Sequence, residues 1–150
     1  MGALKDRVHS DLTTAMKARD ELVRATLRMV LTAIGTEEVA GSHARELTAE
    51  EELKVVAREA KKRREAAEAF RSGGALDRAE RELAEEAVLT GYLPAQLSDE
   101  ELAALVQQAV ASSGASGPQG MGAAMKAAAP LVAGRAEGGR VAAAVRAALA

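Results

Sequence analysis

The chain has no cysteine and no tryptophan, and its aromatics are Phe70 and Tyr92. Without cysteine there is no disulfide, no Fe–S cluster, no thiol nucleophile and no cysteine-built zinc site. Two histidines, His9 and His43, make a His-rich metal centre improbable. No metal and no cofactor is therefore expected. Positive charge is not in excess either, since 20 Lys/Arg face 22 Asp/Glu for a net charge of −2. That balance argues against a protein that grips nucleic acid by bulk electrostatics. No run of 18 apolar residues is present, so no membrane-spanning helix and no membrane partner is expected. The opening Met-Gly-Ala-Leu-Lys-Asp lacks the apolar region of a signal peptide, and Asp6 fails the myristoylation pattern. The expected compartment is the cytoplasm.

What remains is 150 residues, 48% apolar and 28% charged, a globular composition rich in alanine. Alanine buries little area, so the core must rest on scattered Leu, Val, Ile and Met. Each of these contributes about 1.5–3 kcal/mol when fully buried.

Helical periodicity runs nearly throughout, with no convincing period-2 stretch. Leu4, Val8, Leu12 and Met16 step by four along a first helix, and Asp20 is placed to cap a second. Val23, Leu27, Val30 and Ile34 form the buried face of that second helix. Thr48 and Glu51 make a capping box that opens a third, whose apolar line runs Leu53, Val56, Ala60, Arg63, Ala67 and Phe70. A Gly-Gly turn at 73–74 leads into an acid-rich fourth helix reaching Tyr92. Pro94 disfavours helix and marks a boundary. Beyond it Ser98 and Glu101 form a second capping box for a helix carrying Leu102 and Val106. A Gly/Ser-rich linker at 112–118 follows, then a short helix with Met121 and Met125 that should end near Pro130. A loop at 134–139 precedes a final helix marked by Val141, Val145 and Leu149. The fold class is all-α: a long-helix bundle over 1–94 and a small helical module over 95–150. Sixteen of the Lys/Arg and eighteen of the Asp/Glu precede residue 96.

The chemistry inventory is short. There is no Walker loop, no GxSxG elbow, no HExxH and no GxGxxG after a strand. The acidic stretch 80–86 has no nucleophile or general base beside it. An enzymatic role therefore has little support, and no catalytic residue is assigned. The run Lys61-Lys-Arg-Arg64 suggests a nucleic-acid patch, but 100° per residue spreads it around the helix. Arg63 falls on the apolar line, and a buried guanidinium needs a carboxylate. Glu82 or Glu85 from the fourth helix is the expected partner. The pair reads as a packing clamp, with recognition of an anionic ligand as the alternative.

The loop Gly134-Arg135-Ala-Glu137-Gly138-Gly139-Arg140 is the best binding candidate. Its glycines let backbone N–H groups approach a phosphate at the N-terminus of the last helix. Lys126, Arg135, Arg140 and Arg146 are the cations of that module. A tight left-handed turn, with glycine present for conformation alone, explains the same residues.

Several segments together resemble the GatB/YqeY family. They are Leu27-Arg28, residues 63–70, Gly91-Tyr-Leu-Pro-Ala-Gln-Leu-Ser98, Met121-Gly-Ala-Ala-Met125 and Gly134-Arg-Ala-Glu-Gly138. Tyr92 and Pro94 lie in the third of these hallmark strings, and Gly134, Arg135 and Gly138 in the fifth. The resemblance covers essentially the whole chain. It implies two all-helical domains similar to the helical and tail domains of the B subunit of glutamine-dependent aminoacyl-tRNA amidotransferase. There the tail is associated with holding tRNA, while transamidase chemistry resides in other domains and subunits. The family label of carbon–nitrogen ligase with glutamine as amido donor would thus describe relatives rather than a reaction of this chain. The resemblance implies a non-catalytic, tRNA-associated adaptor in translation, with amidotransferase or other translation proteins as further partners. A protein–protein interaction module without RNA binding is the alternative. Ala123 and Ala133 stand where the family often carries lysine, which reduces the basic face of the C-terminal module.

Overall fold

In a computed structural model, which describes residues 2–150, the chain forms seven α-helices and one short 3-10 turn. No strand occurs among the described residues. The chain divides into two compact units, the first ending at Leu93 and the second running from Pro94 to Ala150.

The first unit contains α1 (Ala3–Ala18), α2 (Glu21–Glu38), α3 (Ala49–Ser72) and α4 (Leu76–Thr90). Local chemistry sets their starts. Asp20 accepts the Val23 N–H at α2, and Thr48 and Glu51 complete a reciprocal capping box at α3. The α3–α4 turn passes through Gly74 at φ +79°, a left-handed geometry that suits glycine. The core gathers Val8, Leu27, Ile34, Val55, Val56 and Leu89, each no more than 2% exposed.

Two expectations about apolar faces require correction. Met16 is 49% exposed, and Ala15 is buried in its place. Steps of four overshoot a 3.6-residue turn, so three of them from Leu4 rotate Met16 roughly 120° off the starting face. Seven residues nearly restore the angle, which is why Val8 and Ala15 share the buried side. On α3, Glu52 is buried at 1% exposure while Leu53 is only half-buried.

The second unit contains α5 (Asp99–Ser113), the 3-10 turn Pro118–Gly120, α6 (Met121–Val132) and α7 (Gly138–Leu149). The three helices pack pairwise around Val106, Ala109, Ala124, Ala128 and Val145. Ser98 and Glu101 form the capping box of α5. The expectation that α6 ends near Pro130 is also corrected, because the helix continues to Val132. Proline removes one donor and crowds one carbonyl. In the last turn that loss is outweighed by burying Val132, which is 3% exposed.

Candidate functional site

The most specific sequence strings meet at Leu97. Its backbone N–H donates to the Arg135 carbonyl at 2.7 Å, and its carbonyl accepts from Arg140 Nη2 at 2.9 Å. The same Nη2 donates to Asp99 Oδ1, also at 2.9 Å. Arg135 turns toward the end of α6, where Nε donates to the Val132 carbonyl at 3.1 Å and Nη2 to the Leu131 carbonyl at 2.8 Å. These carbonyls lack helical partners, and a cation beside them also complements the helix dipole. Arg135 and Arg140 thus fasten the 134–140 loop to its own unit. Their outward contact with a phosphate, expected from the loop's composition, is not the arrangement found here.

The backbone explains part of the loop's glycine content. Ala133 and Gly134 are consecutive left-handed residues, at φ +49° and +76°. Gly138 is different. It opens α7 with no neighbour within 4 Å of the space a Cβ would fill. The preceding Glu137 makes no side-chain capping bond, so the first-turn amides of α7 have no side-chain cap. Lys126 on α6 and Arg146 on α7 are exposed. Asp99, Glu100 and Glu101 crowd the first turn of α5. The Glu101 carboxyl is held below the usual carboxylate range, chiefly by the Ser98 N–H it accepts. The unit is therefore electrically balanced, with an uncapped helix N-terminus among carboxylates and committed arginines.

In the first unit Arg63 lies between α3 and α4. Its Nε is 3.1 Å from Glu85 Oε2 and 3.9 Å from Glu82 Oε2, and Nη2 lies 3.3 Å from Met29 Sδ. Arg63 and Glu85 are 7% and 8% exposed. The neighbouring cations diverge, with Lys61 toward Glu65, Lys62 toward Glu59 and Arg64 toward Glu86. Arg64 thus reaches a carboxylate on α4. The four cations do not form one patch.

Tyr92 belongs to the first unit. Its hydroxyl donates to Asp11, its ring lies 4.6 Å beneath the Arg7 guanidinium, and Arg7 reaches the Gly91 carbonyl. Burial, followed by the bond to Asp11, pushes the Tyr92 hydroxyl well above its ordinary pKa. One hallmark string is thus anchored at both ends, Tyr92 to α1 and Leu97 to the 134–140 loop, with Pro94 at the division between units.

The model of the YqeY-like protein family matches residues 5–149. The chain belongs to the YqeY-like family. No curated protein matches it. In this YqeY-like chain no described group of three or more Asp, Glu or His is arranged to hold a metal, and no described helix is long and apolar enough to cross a membrane.

Sequence reasoning missed two features. Glu52 is buried and accepts the Lys5 N–H at 2.7 Å, holding the start of α1. In sequence it is one of three consecutive glutamates in a first turn, with nothing to distinguish it. The structural use of Arg135 and Arg140 was hidden for a different reason. Arg140's partners are about forty residues away, at Leu97 and Asp99.

Proposed function

We propose that this chain is a non-catalytic adaptor of the translation apparatus, related to the tail of glutamine-dependent aminoacyl-tRNA amidotransferase, and that its C-terminal unit associates with tRNA. The observation that carries the reading is the uncapped start of α7 at Gly138, held in place by the Arg135 and Arg140 fastenings. Backbone N–H groups at such a terminus donate to a phosphate oxygen without reading bases. Lys126 and Arg146, exposed on α6 and α7, supply the mobile positive charge, and Arg135 and Arg140 shape the loop instead of touching RNA. The scarcity of aromatics fits a contact made to the backbone rather than by base stacking.

A specific observation favours a second reading, a protein-interaction module without RNA. The C-terminal unit has as many carboxylates as cations, and two of its four cations are engaged internally. Titration of the protein against unfractionated tRNA across a salt series separates the two. Phosphate contacts release counterions, so affinity falls as salt rises. Absence of binding at low salt leaves the protein-interaction reading.

A further inference from the structure

A surface groove of about 400 Å³ lies between α2 and α3 in the first unit, away from the 134–140 loop in sequence. We propose that this groove binds an acidic peptide segment of a partner protein. The inference rests on the first unit alone and stands whether or not the C-terminal unit meets RNA.

Three features of the lining define the occupant. Arg28, Arg58 and Lys62 bring positive charge to the rim. Lys62 is paired with the buried Glu59 at 3.0 Å, and Arg58 holds only an exposed ion pair, to Glu37 at 3.4 Å. Exposed pairs of this kind are worth little and exchange readily for an incoming carboxylate. Met29 is 47% exposed beside Ala33 and gives the groove an apolar floor. Glu59 is more than nine-tenths buried, and its Oε2 lies 3.0 Å from the Lys62 ammonium, which holds that cation at the groove.

These features fit a peptide better than a nucleic acid. A peptide brings an aliphatic side chain for the Met29–Ala33 floor together with carboxylates for the rim, whereas a nucleic acid has no aliphatic side chain to offer. The apolar floor takes an aliphatic side chain, and the rim takes flanking Asp or Glu. From Arg28 to Thr36 the groove spans about 12 Å of helix, the length of two helical turns of a partner or of a short extended segment. Thr32 and Thr36 donate their hydroxyls to their own helix, so they shape the wall without asking for a ligand acceptor.

The test is panning of the full-length protein with a phage-displayed dodecapeptide library, beside Arg28→Glu and Thr32→Trp variants. Arg28 and Thr32 are exposed, and melting curves check that both variants fold. Enriched peptides should carry two or more Asp/Glu around an aliphatic residue. As synthetic fluorescent probes they should lose at least tenfold in affinity to each groove variant and nothing to Lys126→Glu. No acidic enrichment, or equal binding to wild type and groove variants, overturns the proposal. So does a twelve-nucleotide single-stranded RNA that binds the wild type and loses affinity in Arg28→Glu, because the groove is then a phosphate site.

Discussion

Arg63 and Glu85 meet across α3 and α4 with Nε 3.1 Å from Oε2, each side chain about nine-tenths removed from solvent. Removing the guanidinium leaves the buried Glu85 with only the exposed Arg81, 3.4 Å away, and takes from Glu82 its cation on α3. Arg63→Ala should therefore cost about 3–5 kcal/mol. Replacing both partners, as in Arg63→Met with Glu85→Leu, should cost less, since the most buried carboxylate is then gone and only the part-exposed Glu82 loses a cation. Urea melts of the three proteins check this. Equal destabilisation by the single and double variants would mean that lost packing, not the stranded charge, dominates.

Arg140 behaves as a staple. It donates to one backbone carbonyl and one carboxylate while remaining about one-third exposed. Arg140→Ala should destabilise the protein by about 1.5–3 kcal/mol, the usual range for hydrogen bonds to charged groups. Hydrogen exchange should quicken at the Leu97 and Val141 amides before the core of α5 responds. A variant with wild-type melting and exchange would return Arg140 to the role of an uncommitted surface cation.

Gly2 is required by Glu52. A Cβ at position 2 would stand 1.4 Å from Glu52 Oε1, and Glu52 is 1% exposed and bonded to the Lys5 N–H. Gly2→Ala should expel the carboxylate and fray the first turn of α1, at a cost of about 1–3 kcal/mol. Amide exchange along residues 3–8 reads the fraying directly. If exchange there is unchanged, the terminus has room that the packing does not show.

Acid should loosen the start of α3. The Glu51 carboxyl is held at about 2 instead of 4.5, first by hydrogen bonds from Arg45 and then by the Thr48 N–H. A carboxyl whose pKa is depressed on folding stabilises fully above its unfolded value. Its contribution declines as pH falls from about 4.5 toward about 2. Carboxyl carbon shifts should show Glu51 titrating near 2, and Glu51→Gln should flatten the melting profile across that window. Titration near 4.5 would show that the capping box is open in solution.

Much of the fold is legible from adjacent residues. Asp20, Thr48 and Ser98 cap helices through partners three positions away, so type and spacing suffice to find them. Val23, Leu27, Val30 and Ile34 keep mixed steps of three and four and remain on one face. Met16 fails because uniform steps of four drift around the helix. The site was less legible, because a loop containing glycines and arginines reads the same whether its arginines face solvent or clasp backbone carbonyls, near ones for Arg135 and a distant one for Arg140. Only the position of Leu97 beside Arg135 and Arg140 distinguishes the two. The groove lined by Arg28 and Glu59 was hidden likewise, since it joins helices thirty residues apart.

The central claim, tRNA association through the C-terminal unit, is tested most directly by tRNA binding as a function of salt. Wild type and the double variant Lys126→Ala with Arg146→Ala would be compared by filter binding, with melting curves alongside. Both residues are exposed, so the fold should be unchanged. The account predicts measurable wild-type binding at low salt and a linear fall of log affinity with log salt. The double variant should bind more weakly by a similar factor for every tRNA species, with a slope smaller by about one to two units. No wild-type binding at low salt, or a double variant with unaltered affinity and slope, would contradict the account.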